Sequence, residues 1–324
     1  MEWEAQCLEC DEVLDDDDLM GGVDPQEDAG LHVAGAPWTG DLSYEEQNVR
    51  VLVSNTGALV ALEDRDVDIV YRAMLRQELA RPDFSRQYEY LKYRRVLVDW
   101  MAEVGETHLR MRKEYVHSAV AYLERLLARA DEPLPPKDRF QLLALSCLRM
   151  ALKFQGTEEE LPLMAEFWEM GNRMYSFDEI SDAEAANFQK LGWRLTVVTP
   201  LHFLQHFMGQ TVLFADDRLL GSELVDEAHG YYCKYAEFFV DLVLQEYSLQ
   251  VYRPSVVAAS ILVAARKALD VTPLWRDELS ALTGYDEAQV APCFQAVWSH
   301  FEATFGPLNK AYLRDDSPAG VADL

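Results

Sequence analysis

No lysine or arginine occurs before Arg50, and the 324-residue chain carries 29 basic against 56 acidic residues, a formal net charge of -27. That shortage of cations argues against an extended grip on nucleic acid, whose affinity comes largely from basic side chains neutralising phosphates. The expected partners are proteins. Long apolar runs are also missing: none reaches the roughly eighteen residues that read as a membrane span. The first residues are acidic where a secretory leader would be basic, so the expectation is a soluble, intracellular protein with no membrane contact. Cysteine is scarce, with five at positions 7, 10, 147, 233 and 293. Cys147, Cys233 and Cys293 stand singly inside helical patterns and read as small buried hydrophobes in a reducing compartment. Cys7 and Cys10 form a C-x-x-C, but the second pair or histidines of a zinc site are lacking, as are the strand and helix of a redox motif. There is no P-loop, dinucleotide fingerprint or nucleophile elbow. His202 and His206 are four apart but lack the glutamate of a zinc protease, which leaves capping or surface roles. No metal, cofactor or catalytic residue is therefore expected.

What the chain does have is helical periodicity. Its 49% hydrophobic content is ample for a buried core in one or two domains. In residues 93–104, Val96, Leu97, Trp100, Met101 and Val104 make one broad apolar stripe and predict a core helix. A second pattern follows at Tyr115, Ala119, Tyr122, Leu123 and Leu126, and a third at Leu142, Leu145, Leu148, Met150 and Leu152. Short polar turns join them, so they should pack as a bundle. Arg94 and Glu124 sit inside these apolar faces. An isolated ion in a low-dielectric core costs several kcal/mol or so, so the two are expected to meet; the alternative is that each carries its charge out to water.

Helices are predicted over 63–79, then 88–106, 112–130, 136–155, 162–172 and 176–194, with Ser176 or Asp178 as a cap. A second set follows at 200–214, 218–246, 253–268, 274–283 and 286–304, with Thr199 capping before Pro200. Its nearly all-apolar VVAASILVAARKAL answers LLALSCLRMALKF in the first set, an internal repeat of architecture. Residues 1–60, acidic and with loose glycine stretches, are expected to be disordered, and 307–324 to form a flexible tail.

The blocks YRRVLVDWMAEV, AVAYLERLL, RFQLLALSCLRMALKF and AEAANFQKLGWRLTVVTPLHFLQHF, in this order, resemble the cyclin box. The linker EPLPPKDRFQLL is most similar to D-type cyclins, and the likeness spans roughly 63–305. The resemblance implies an all-α fold of tandem five-helix boxes, 61–197 and 198–306, behind an N-terminal helix. It implies a regulatory subunit, present in nucleus and cytoplasm, that binds and activates a cyclin-dependent kinase without catalysis of its own.

Carried over residue by residue, Lys153 and Glu184 match the pair that cyclins offer to the kinase, with Arg94, Glu124 and Leu142 supporting that surface. Glu124 departs from the usual aspartate, and Gln155-Gly156 from the two glutamates common after the aromatic. Tyr93, Val96, Leu97, Trp100, Glu103 and Gln141 match the patch that recruits substrates and inhibitors bearing Arg-x-Leu, with Tyr93 where methionine is usual. The competing possibility is that all six simply pack the core. Leu8, Cys10 and Glu12 form a Leu-x-Cys-x-Glu like that by which D-type cyclins dock on retinoblastoma-type pocket proteins. An extended segment would present Leu8 and Cys10 on one face, with Glu12 toward a basic rim. Ser317-Pro318 is a candidate proline-directed phosphorylation site. Two other classes are a cyclin-fold transcription factor or adaptor without kinase activation, which would want a basic surface, and an all-helical enzyme, for which no convergent set is found.

Overall fold

The computed structural model describes residues 64–79, 88–128, 133–223 and 228–306. Among the described residues it is all-α apart from one minimal sheet. A leading helix α1 (Asp64–Leu79) precedes a first set of five: α2 (Tyr88–Ala102), α3 (Lys113–Leu127), α4 (Phe140–Gln155), α5 (Met164–Met170) and α6 (Phe177–Lys190). A second set follows: α7 (Pro200–Met208), α8 (Ala228–Gln245), α9 (Pro254–Ala268), α10 (Asp277–Thr283) and α11 (Glu287–Phe305).

Each set closes around a central helix. Ala144, Leu145, Cys147, Leu148 and Ala151 of α4 are sealed in the first core, as are Tyr115, Ala119, Tyr122 and Leu123 of α3. In the second core α9 is apolar nearly all round, which suits a helix surrounded by neighbours. The helix starts follow local chemistry. Ser176 caps α6, its Oγ accepting from Glu179 N at 3.1 Å while Glu179 Oε2 accepts from Ser176 N at 2.9 Å. Thr199 caps α7, with His202 Nδ1 accepting from Thr199 N at 3.0 Å, and Pro200 opens the helix. Gly105 lies in a π-helical turn, Glu103–His108, that ends α2 against α3; a Cβ there would lie 2.6 Å from Val116 Cγ2.

Three expectations are corrected. The predicted helix 218–246 is two things: Arg218–Leu219 and Ser222–Glu223 form a hairpin completed by Val271–Thr272 in the order β2-β1-β3, and α8 begins only at Ala228. Leu220 and Gly221, with φ of 52 and 81, make the turn. The helix predicted to 214 stops at Met208, because Gly209 caps it. Cys233 is half-buried, its Sγ 3.6 Å from His229 Nδ1, whereas Cys147 and Cys293 are buried as expected. No described helix is long and apolar enough to cross a membrane, and no described group of His, Cys, Asp or Glu could hold a metal ion.

α1 belongs to the second core. Tyr71 and Met74 are buried in it, and Tyr71 stacks on His206 with ring centroids 5.0 Å apart. The buried carboxylate of Glu78 accepts from Ser255 N at 3.0 Å and Ser255 Oγ at 2.8 Å, capping α9.

Candidate functional site: a charged face on α4 and α6, a buried joint and an outer strip on α2

Lys153 lies in the last turn of α4 and Glu184 midway along α6, so packing of these two helices brings them together. Lys153 Nζ donates to Glu184 Oε1 at 2.8 Å, and Arg149, one turn earlier on α4, pairs with the other carboxylate oxygen. Glu184 is thus shared by two cations, with its side chain mostly covered while that of Lys153 is 46% exposed. A carboxylate held from two sides keeps its position, and the exposed ammonium is what a partner would meet.

Arg94 and Glu124 do meet, and they do so inside the protein. Arg94 is 1% exposed. Its Nε donates to Glu124 Oε1 at 2.6 Å, Nη1 to the Gln245 carbonyl at 2.8 Å and Nη2 to the Leu244 carbonyl at 3.1 Å, with the guanidinium over Tyr247. A planar fork suits this position because it satisfies at once a carboxylate of α3 and the orphan carbonyls that end α8. Arg94 is the rivet between the two helix sets. Alongside it Lys113 pairs with Asp241, Gln205 donates to Glu114, and buried His117 lies 3.7 Å from Asp241. Leu142 is buried and lines a separate cavity of about 440 Å³ with Ala183 and Asn187. Arg94 is therefore closed off and acts only through what it holds, while Leu142 is covered except where it lines that cavity.

A missed feature borders this face. After α6 the chain turns through Gly192 and Trp193, both left-handed with φ of 63 and 60. Glycine adopts that conformation freely, whereas tryptophan does so at a cost of about 1–2 kcal/mol. The turn is held from α3: Arg125 Nη1 donates to the Arg194 carbonyl at 2.6 Å, Nη2 to the Leu191 carbonyl at 3.3 Å, and Tyr122 Oη to the Leu195 carbonyl at 2.6 Å. Trp193 consequently stands 65% exposed, edge-on to Phe188 at 4.5 Å. Phe154, next to Lys153 and also exposed, lines with Trp193, Glu124 and Arg125 a cavity of about 500 Å³. The signal in sequence was the glycine stop of QKLGWRL followed at once by an aromatic.

On α2 the stripe is partly inverted. Leu97, Val98, Met101 and Val104 face the core with Arg94, while Val96 is 72% exposed. Tyr93, Val96, Trp100 and Glu103 follow helical spacing down the opposite side, with Tyr93, Val96 and Glu103 exposed and Trp100 half-buried. Gln141 is half-buried at the start of α4, and only Leu97 of the six is buried. The possibility that all six pack the core is thereby excluded.

His202 and His206 are both buried, so the surface role fails and the capping role holds for His202. Burial, reinforced for His202 by neighbouring His117, pushes their pKa values down to about 3 and about 4; Asp68 offsets this partly at His206. Another buried charge went unpredicted: Arg266 is enclosed on α9 and paired with buried Asp217, which also accepts from Arg276 at 2.8 Å. Leu8, Cys10, Glu12 and Ser317 lie outside the described residues, as do Cys7 and the acidic leader.

Residues 69–196 match the cyclin N-terminal domain and 198–315 the cyclin C-terminal domain. The chain is 31% identical over 228 residues to the G2/mitotic-specific cyclin S13-7 of Glycine max, covering 70% of this chain and 80% of that one. It is 29% identical over 242 residues to Cyclin-D of Ostreococcus tauri, covering 71% and 62%. The alignment with the soybean cyclin S13-6 spans 43% of that protein. Among solved structures, the viral cyclin of herpesvirus saimiri superposes with a TM-score of 0.56 at 15% identity, over 73% of this chain and 98% of that one. A chain of the yeast RNA polymerase II CTD kinase CTDK-1 complex gives 0.51 at 14%, over 81% and 79%; at such identities both speak for the fold alone. Tandem five-helix sets, two adjoining domain matches and a 31% relative covered over four-fifths of its length agree, and the chain belongs to the cyclin family.

Proposed function

We propose that this protein is a D-type-like cyclin that binds and activates a cyclin-dependent kinase and directs it to retinoblastoma-type pocket proteins at the G1/S transition, acting in nucleus and cytoplasm. The observation that carries the kinase part is the exposed Lys153 held against Glu184, flanked by exposed Phe154 and Trp193. An aromatic surface with a fixed ion pair at its edge suits the helix of a partner, since apolar contacts supply affinity and charge sets register. Such a surface activates by preferring one of two kinase conformations, because a ligand shifts an equilibrium only through its differential affinity. Phosphoryl transfer then uses the kinase's own lysine, glutamate and metal-binding aspartate.

Relatives named for D-type and for mitotic cyclins match to similar extents, so the D-type assignment rests on Leu8, Cys10 and Glu12 and on the proline-rich linker. Tethering by that motif would raise the pocket protein's local concentration to roughly millimolar. The outer strip of α2 is assigned to Arg-x-Leu segments, with the leucine on Val96 and Trp100 and the arginine toward Glu103.

A kinase assay on a pocket-protein fragment and on a generic peptide tests this. Lys153→Ala with Glu184→Ala should abolish activation on both substrates. Cys10→Ala with Glu12→Ala should spare the generic peptide and lower activity on the pocket protein. Full activation by the first double variant would remove the kinase assignment, and equal activity on both substrates by the second would remove the targeting.

A further inference from the structure

The outer strip of α2 is electrically asymmetric, and its polarity comes from a residue on another element. Lys137, in the short 3-10 turn Lys137–Arg139 before α4, places its Nζ 4.6 Å from the centre of the Tyr93 ring. Lys137 is exposed and makes no ion pair among the described residues. Glu103, at the other end of the strip, is likewise exposed and unpaired among them. Lys92, exposed one turn before Val96, adds to the positive end. In a chain of net charge -27, an exposed lysine held on an aromatic ring at one end of an apolar strip is a departure from the general field, even with exposed Asp138 next to it in the turn. Tyr93 makes it possible: an aromatic face holds an ammonium by its quadrupole, which the methionine usual in the family at this position does not.

The spacing fits an extended peptide. With a rise of about 1.5 Å per residue, the midpoint of Val96 and Trp100 lies roughly 7–8 Å from Glu103 on one side and from Tyr93 on the other. Side chains on one face of an extended segment recur every second residue, about 6.6–6.8 Å apart. A basic residue over Glu103, a leucine over Val96 and Trp100, and a third side chain over Tyr93 and Lys137 are therefore in register. Resting on the reading of this strip as a docking surface, we infer that Lys137 makes it select segments of the form Arg-x-Leu-x-Asp/Glu, with the acidic side chain against Lys137 on Tyr93. Lys137 is a specificity-determining residue, and the far subsite takes a carboxylate where a purely apolar strip would take another hydrophobe.

Fluorescence polarisation with the full chain tests this, using labelled peptides that contain Arg-Ala-Leu-Ala-Glu, its Lys and Phe counterparts at the last position, and a scrambled control. At low salt the Glu peptide should bind about fivefold tighter than the Lys peptide, the scale of attraction against repulsion at an exposed pair. The difference should shrink as salt screens it. Lys137→Glu should invert the order and Lys137→Arg should keep it, and both exposed-site variants should melt like the wild type. Glu103→Gln should weaken the three Arg-containing peptides alike. If those three bind equally, or the Phe peptide binds best, Lys137 does not read the partner and only the docking surface stands. If none exceeds the scrambled control, the docking surface falls and the selection with it.

Discussion

Replacing Arg94 with alanine should loosen the joint between the two helix sets more than any other single change on α2. Three donors of one buried guanidinium serve Glu124 and the Leu244 and Gln245 carbonyls, two of the three partners belonging to the second set. Breaking a buried pair by removing one partner costs about 3–5 kcal/mol. Glu124 retains a little solvent access, its side chain being 15% exposed, so water takes up part of its loss. The two carbonyls lose charge-assisted bonds worth about 1.5–3 kcal/mol each, which argues against the bottom of the range. A total near 4 kcal/mol lowers the melting temperature by roughly 8–16 °C for domains of this size. Glu124→Gln keeps an acceptor for Nε and should cost about 1–2 kcal/mol. Calorimetry gives the totals, and hydrogen exchange locates them: protection should fall at the end of α8 and in the 3-10 turn Tyr247–Val251, with α4 unaffected. A fall of less than about 3 °C in Arg94→Ala, with unchanged exchange at the end of α8, would refute the rivet.

Acid should destabilise the fold through His202 and His206. Their folded pKa values, about 3 and about 4, lie below the ordinary value of 6.5, so between roughly pH 6.5 and 4 the unfolded chain binds protons that the folded chain does not. Stability is therefore full above about pH 6.5 and falls with pH by about 1.4 kcal/mol per unit for each ring. His206→Phe keeps a ring against Tyr71 and should roughly halve that slope in denaturant titrations from pH 7 to 5; an unchanged slope would contradict the assignment. Arg125→Ala removes both bonds to the turn that presents Trp193, so amide exchange at Trp193 and Arg194 should accelerate and kinase affinity fall about tenfold, with Arg125→Lys intermediate. Unchanged exchange would show that Tyr122 alone holds the turn. Glu78→Ala uncaps α9 at a cost of about 1–2 kcal/mol, and limited proteolysis should then release α1 first.

The helices were legible because apolar side chains in a closed bundle must recur near every 3.6 residues, as the buried faces of α3 and α4 largely do. Caps were legible for a similarly local reason: Ser176 and Thr199 act on amides within their own first turns. What was not legible depends on partners far along the chain. The hairpin at 218–223 completes its sheet only when Val271–Thr272 arrives, and its turn uses Leu220 where asparagine or aspartate would have announced it. Arg266 reads as one polar position in an apolar helix, and its partner Asp217 lies 49 residues earlier in a loop. Val96 misled for the opposite reason: periodicity ranks by hydrophobicity, whereas α2 buries a charge at Arg94 and leaves a valine in water.

That exchange on α2 is tied to α3. Glu124 on α3 is what permits Arg94 to be buried, and once Arg94 fixes the rotation of α2, Tyr93, Val96 and Glu103 face outward with Trp100 half-buried between them and the core. The neighbouring Arg125, with Tyr122 a turn earlier, reaches the other way to hold the turn carrying Trp193. Three residues of one helix therefore anchor both the outer strip and the aromatic face. Glu124→Ala should then disturb peptide binding on α2 as well as stability, because the strip's outward rotation has no other charged anchor in α3. Polarisation with the Arg-Ala-Leu-Ala-Glu peptide measures this, and full affinity in a variant that has lost 3 kcal/mol or so of stability would show that packing alone sets the rotation of α2.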